Sequence, residues 1–240
     1  PEQYFDTNIK GTFNVLEAAS SLGASLRHVI VSSTDAVIHK YPNEGIEDPL
    51  GPETLPLDTT SWYGYSKILT ENLVNRYVRD ENMPATILRY GFAFGAGEIV
   101  AFPQFQLRTF IEQLAPSSDP ELMETLKAMR SVYTGEPHLI VARDRNGRPW
   151  KKHTVEVRDL IHGYDRAICN SNTFGKTYQL ASSQPITWDS IVPYLAKSLG
   201  APYSTFDLPM TPTYYEHDLS TARLDFDYDP PLSFQQMVDD

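Results

Sequence analysis

Two runs rich in β-branched residues constrain this chain most: His28-Val-Ile-Val-Ser-Ser-Thr34 and Pro84-Ala-Thr-Ile-Leu-Arg-Tyr90. Short apolar runs of this kind are read as buried parallel strands. Between them, Ser66 to Arg79 has helical spacing, with Ile68, Leu69, Leu73, Val74, Tyr77 and Val78 apolar. Ahead of them, Asn8 to Ala19 reads as a helix that ends near Gly23. The order helix, strand, loop, helix, strand predicts right-handed crossovers and a parallel sheet, so the fold class is α/β. The first strand closes on three hydroxyls, Ser32, Ser33 and Thr34. In open α/β sheets, the carboxyl ends of the strands are where ligands sit.

Tyr63-Gly-Tyr-Ser-Lys67 stands just before the second helix. A spacing of four puts Tyr63 and Lys67 on one helical face. A fixed cation favours the phenolate and lowers the phenol pKa from its ordinary ~10. Tyr63 is therefore the candidate general acid/base for a carbinol proton. Tyr65 lies two residues from Lys67 and faces elsewhere. By itself the motif also suits an exposed helix start, so its neighbours carry the reading.

Net charge is -11. That argues against nucleic acid or an anionic membrane as partner, since both need basic patches. No apolar run approaches the length of a membrane span. Cys169 is the only cysteine, which excludes an intrachain disulfide and suits a reducing cytoplasm. The six His are scattered, and no metal site is expected. Pro42 to Thr60 reads as a long loop. Ala115 to Gly147 holds one helix, Pro120 to Met129, and a turn at Asp144-Arg-Asn-Gly147.

In order, Asn8-x-x-Gly11-Thr12, Val31-Ser-Ser-Thr34, Tyr63-Gly-Tyr-Ser-Lys67 and Leu88-Arg-Tyr90 with Gly95 resemble the extended short-chain dehydrogenases, the NAD-dependent epimerase/dehydratase family. His153 to Asp159 is similar to that family's strand-then-helix segment. Asp218 to Arg223 and Tyr228-x-Pro230 are similar to its late motifs. The resemblance implies a partial Rossmann domain, a doubly wound parallel sheet, over 1–95. Residues 96–240 are expected to form mainly a smaller substrate-binding domain, with segments returning to the sheet. The family's glycine-rich turn does not occur in these 240 residues, and the chain opens on Pro1. It therefore reads as lacking a half of about 80 residues, the size of one βαβαβ unit.

The implied activity is that of an NAD(P)-dependent epimerase or oxidoreductase acting on a carbinol of a sugar or nucleotide-sugar. Its cofactor would be NAD or NADP, held mostly outside the present sequence. A 3β-hydroxysteroid-like dehydrogenase, an inactive fragment and a non-enzymatic dinucleotide-binding protein are the alternatives. The implied catalytic set is Tyr63, Lys67 and Thr34, with Ser33 the alternative hydroxyl. Lys67 would also reach the nicotinamide ribose. Cofactor contacts would come from Ser32, Ser33, Tyr63, Lys67, Tyr90, Gly91 and Asn8, although Asn8 suits a helix cap as well. Substrate contacts would come from Thr34, Asp35, Phe92 and Lys152. Lys152 would meet substrate phosphate, with Lys151 and Arg148 near it; the other reading is a solvated hairpin edge. Phe92 stands where many nucleotide-sugar enzymes carry Asn, which leaves room for another alcohol. Asp35 is shared with dehydratases, but the Glu that often follows is missing, which disfavours dehydration. A homodimer through the helices Asn8 to Ala19 and Ser66 to Arg79 is expected.

Overall fold

The structure is a computed structural model, and it describes residues 1–239. The chain opens on a helical stretch with three parts: α1 (Glu2–Tyr4), a π-helical segment (Phe5–Lys10) and α2 (Gly11–Ser20). Next come β1 (Val29–Thr34), α3 (Trp62–Glu81), β2 (Ala85–Tyr90) and β3 (Ala93–Phe94). The middle of the chain holds α4 (Leu107–Leu114), α5 (Pro120–Val132), β4 (Leu139–Arg143), β5 (Lys151–Lys152), β6 (Val155–Glu156) and α6 (Val157–Ala167). The last part holds β7 (Thr177–Leu180), β8 (Ile186–Thr187), α7 (Trp188–Leu199), β9 (Tyr203–Asp207), α8 (Ser220–Phe226) and α9 (Phe234–Asp239).

β1, β2 and β7 form a parallel sheet in that order. The expected α/β architecture is thus present. Val29 pairs with Ala85 and Thr34 with Tyr90, so both strands end level with one another. Three short pairs flank the sheet: β3 with β6, β4 with β9, and β5 with β8, the last antiparallel.

The helix between the strands starts a turn earlier than its periodicity suggests. The Ser61 hydroxyl accepts from the Gly64 N–H at 2.9 Å and caps it. At the other end Asn82 closes it in the left-handed conformation, φ 53°. Leu16, Val74, Tyr77, Ala85 and Ile87 pack α2 and α3 onto one face of the sheet. Leu88, Leu160, Tyr178, Leu180 and Phe226 fill the other face under α6 and α8. A larger core, with Phe105, Phe110, Leu139, Trp150, Trp188 and Leu195, joins the short pairs.

The strand-then-helix order expected at His153 to Asp159 is present: β6 ends at Glu156, whose carboxylate accepts from the Arg158 N–H and starts α6. Among the described residues, no helix is long and apolar enough to cross a membrane.

Candidate active site

A cavity of about 510 Å³ opens beyond the carboxyl ends of β1 and β2. Thr34, Asp35, Tyr63, Gly91, Phe92 and Lys152 all line it, so six of the expected site residues share one space. Ala36, Lys40, Tyr41, Ala93, Gln104 and Tyr215 complete the wall.

The approach of α3 to β1 brings Tyr63 to Thr34. A Cβ on Gly64 would run into the Ala36 carbonyl oxygen and meet the Thr59 hydroxyl at 2.5 Å. The Thr34 hydroxyl accepts from the Ala36 N–H at 3.2 Å, which fixes the turn after the strand. Burial pushes the Tyr63 phenol above its ordinary value. A hydrogen bond with Thr34 pulls the other way, while Tyr90 and Asp35 add to the rise. Lys67 donates from Nζ to the Ser32 carbonyl at 2.9 Å, and burial lowers its pKa against a smaller lift from Glu71. The expected lowering of the phenol is therefore not met in this state: burial dominates, and the ammonium is engaged with the strand.

The remaining candidates lie as follows. Ser33 turns away from the cavity and donates to Glu71 Oε1 at 2.5 Å, inside a buried pair between Glu71 and Arg89. Its hydroxyl thus belongs to the packing between α3 and β2, because successive strand residues point to opposite faces. Ser32 Oγ lies 2.5 Å from the Tyr164 hydroxyl, in an apolar groove that also includes Tyr90. Asn8 donates from Nδ2 to Ser66 Oγ at 2.9 Å and ties the π-helical segment to α3, one turn from Tyr63. Gly91 lies against Asp35, whose Oδ2 a Cβ there would meet at 2.7 Å.

Asp35 is a buried charge of the cavity with three partners. Its Oδ1 lies 2.5 Å from Lys40 Nζ, while Oδ2 lies 3.3 Å from His217 Nε2 and 3.4 Å from the Tyr215 hydroxyl. Burial alone would raise its pKa, but Lys40 and His217 outweigh that and hold the carboxyl well below the usual carboxylate range. Lys152 is 3 % exposed, so it is no solvated hairpin edge. Nζ donates to Gln104 Oε1 at 3.0 Å and lies over the Phe92 and Phe102 rings at 4.7 and 4.9 Å. Burial lowers its pKa to about 8, with Asp35 opposing and Lys40 adding to the fall. Lys151 pairs with Glu216 at 3.1 Å, and Arg148 with Asp144 at 2.9 Å, so neither joins the cavity.

Lys40, Tyr41, Gln104 and Tyr215 were not legible as site residues. They come from loops and a short 3-10 turn (Pro103–Phe105) far apart in sequence, and no local pattern marks them. Lys40 and Tyr41 do adjoin the long loop read over Pro42 to Thr60.

The profile of the NAD dependent epimerase/dehydratase family matches residues 1–181. The UDP-glucose 4-epimerase of Mycoplasma genitalium is 30% identical over 173 residues, 72% of this chain and 44% of that protein. The L-arabinose 1-dehydrogenase (NAD(P)(+)) of Haloferax volcanii is 33% identical over 109 residues, 41% of each. The chain thus spans less than half the length of these curated relatives. Among solved structures, a short-chain dehydrogenase/reductase superfamily protein from Agrobacterium tumefaciens with bound NAD superposes with a TM-score of 0.81 at 28% identity. The match covers 98% of this chain and 71% of that one. With the parallel sheet, the cavity at its carboxyl end and a family match over three quarters of the residues, this chain belongs to the NAD-dependent epimerase/dehydratase family.

Proposed function

We propose that the chain carries the proton-transfer and substrate half of an NAD(P)-dependent epimerase or oxidoreductase acting on a carbinol of a sugar or nucleotide-sugar. The observation that carries this is the meeting of Tyr63 and Thr34 in one cavity, with Lys67 one helical turn behind the phenol. Residues 1–95 would supply these groups, and 96–240 would supply the Gln104, Lys152 and Tyr215 side of the wall.

The residues present fit part of a nicotinamide site. Gly91 lines the cavity with no room for a side chain, since a Cβ there would meet Asp35 Oδ2 at 2.7 Å. Lys67 has two N–H donors beyond its bond to Ser32. Lys67, Tyr63, Tyr90 and Gly91 would hold this part of the cofactor. When bound, it would supply the hydride acceptor and donor for the carbinol carbon. Tyr63 Oη takes the hydroxyl proton and gives it back; Thr34 Oγ1 hydrogen-bonds the same substrate oxygen and holds it in line with the phenol. Burial now holds the Tyr63 phenol above its ordinary value; a further cation beside it would favour the phenolate and bring proton transfer toward neutral pH.

Asp35 favours epimerisation or oxidoreduction over dehydration. Elimination needs a carboxyl that can give a proton, and Lys40 and His217 keep Asp35 ionised.

The test is the fate of a deuterium on the reacting carbon of the sugar. Retention in the product epimer, or transfer to the reduced cofactor, supports direct hydride transfer. Loss of the label to solvent would overturn it.

A further inference from the structure

Charge on the cavity wall is uneven in a way the proton-transfer groups do not use. Three buried ionic side chains line it: Asp35, Lys40 and Lys152. Asp35 and Lys40 neutralise one another at 2.5 Å. Lys152 is left with an amide oxygen and two aromatic faces, and among the described residues no carboxylate forms an ion pair with it. Asp35 pulls on Lys152, but its own partner Lys40 opposes that pull, so burial leaves the ammonium with a desolvation cost that the charge of a ligand would offset. Among the described residues no arginine lines the cavity; Arg89, at the end of β2, is spent on Glu71. The wall therefore offers one net positive charge, a point-like ammonium; one carboxylate neutralises it, whereas a phosphate monoester brings about -1.5 to -2.

Phe92 adds a second constraint. It is 54% exposed, stacks on Phe94 at 5.6 Å between centroids, and covers Lys152. A ring with one free apolar face beside a cation suits the C–H face of a pyranose that carries an anionic substituent.

We propose that the substrate is a sugar acid, whose single carboxylate pairs with Lys152 while its ring lies on Phe92. This rests on the reading of the same cavity as the site of carbinol chemistry, and it narrows the substrate from sugars in general to monoanionic ones.

The test compares D-glucuronate, D-glucose, D-glucose 6-phosphate and UDP-glucose by titration calorimetry on the full chain. Glucuronate is expected to bind about 10- to 100-fold tighter than glucose, the range of one charge-assisted contact. It should also bind tighter than the phosphate ester. Lys152→Gln should bring glucuronate and glucose together, and Tyr63→Phe should leave their ratio intact. Lys152→Met, which keeps the apolar bulk, guards against misfolding and should also abolish the ratio while keeping cooperative unfolding. Equal affinity for glucuronate and glucose overturns the proposal, as does absence of binding. Lys152-dependent preference for glucose 6-phosphate or UDP-glucose also overturns it and assigns the charge to phosphate. Failure here leaves the Tyr63 reading standing if Tyr63→Phe still lowers turnover at least ~100-fold. An unchanged Tyr63→Phe turnover with intact glucuronate selectivity sinks the catalytic reading alone.

Discussion

The α-carbon of Gly64 lies so close to the carbonyl oxygen of Ala36 that a Cβ there would collide with it. The first turn of α3 can therefore lie against the turn that follows Thr34, and Tyr63 rides on that turn into the cavity. Gly64→Ala should push the two apart. Overpacking of this kind costs about 1–3 kcal/mol. Thermal unfolding should show the loss of stability, and kcat should fall with it because the phenol shifts relative to Thr34. A Gly64→Ala protein with unchanged melting and turnover would show that the close approach does not matter.

Glu71 and Arg89 form a two-bond pair, at 2.8 and 2.6 Å, with neither side chain more than 5% exposed. Removing one member leaves the other buried and unpaired, at a cost of about 3–5 kcal/mol. Glu71→Leu and Arg89→Met should each destabilise by about this much. The double variant should lose less than the sum, since it leaves no stranded charge. Additive losses in denaturant unfolding would contradict the pairing.

Lys152 predicts the opposite sign. Its charge is buried at a stability cost, so Lys152→Met should raise the melting temperature of the ligand-free chain. The shift should be about 2–4 °C for each kcal/mol recovered in a chain of this size. A lower melting temperature would mean that the ammonium has a stabilising partner within the fold.

Asp159 gives a pH dependence. It has no exposed surface, and burial raises its carboxyl to about 6, against hydrogen bonds from the Leu232 N–H and the Ser182 hydroxyl, both at 3.3 Å. A folded-state pKa above the unfolded value of ~3.9 means that the folded protein binds this proton more tightly. The contribution favours folding below pH ~3.9, fades as pH rises to about 6, and stays lost above it. Asp159→Asn removes this titration while keeping an acceptor for Leu232. Its melting temperature should exceed that of the wild type at pH 7.5, with the gap closing as pH falls toward 4. A pH-independent difference would contradict the burial argument.

Much of this architecture was legible because it is local. The β-branched runs ending at Thr34 and Tyr90 and the apolar spacing from Ile68 to Val78 each encode their element within a few residues. The Tyr63 to Lys67 spacing also reads correctly as one helical face, and the structure adds the Ser61 cap that brings Tyr63 inside the helix. What failed depends on distant packing. Ser33 and Thr34 are neighbours in sequence, yet Glu71 on α3 takes one hydroxyl while the cavity takes the other. Lys151 and Lys152 look alike in sequence. Glu216 claims the first, and an aromatic wall built from Phe92 and Phe102 encloses the second. The Lys40–Asp35 pair joins residues five apart across a turn, and its His217 partner arrives 182 positions later.

On the proposed function, Tyr63 moves the carbinol proton. The most direct measurement is kcat of Tyr63→Phe in the active enzyme, set beside the affinity of that variant for NAD(H) or NADP(H). Removal of one oxygen from a general acid/base should lower kcat at least ~100-fold and leave cofactor affinity within a few-fold. Near-normal turnover by Tyr63→Phe would contradict the account.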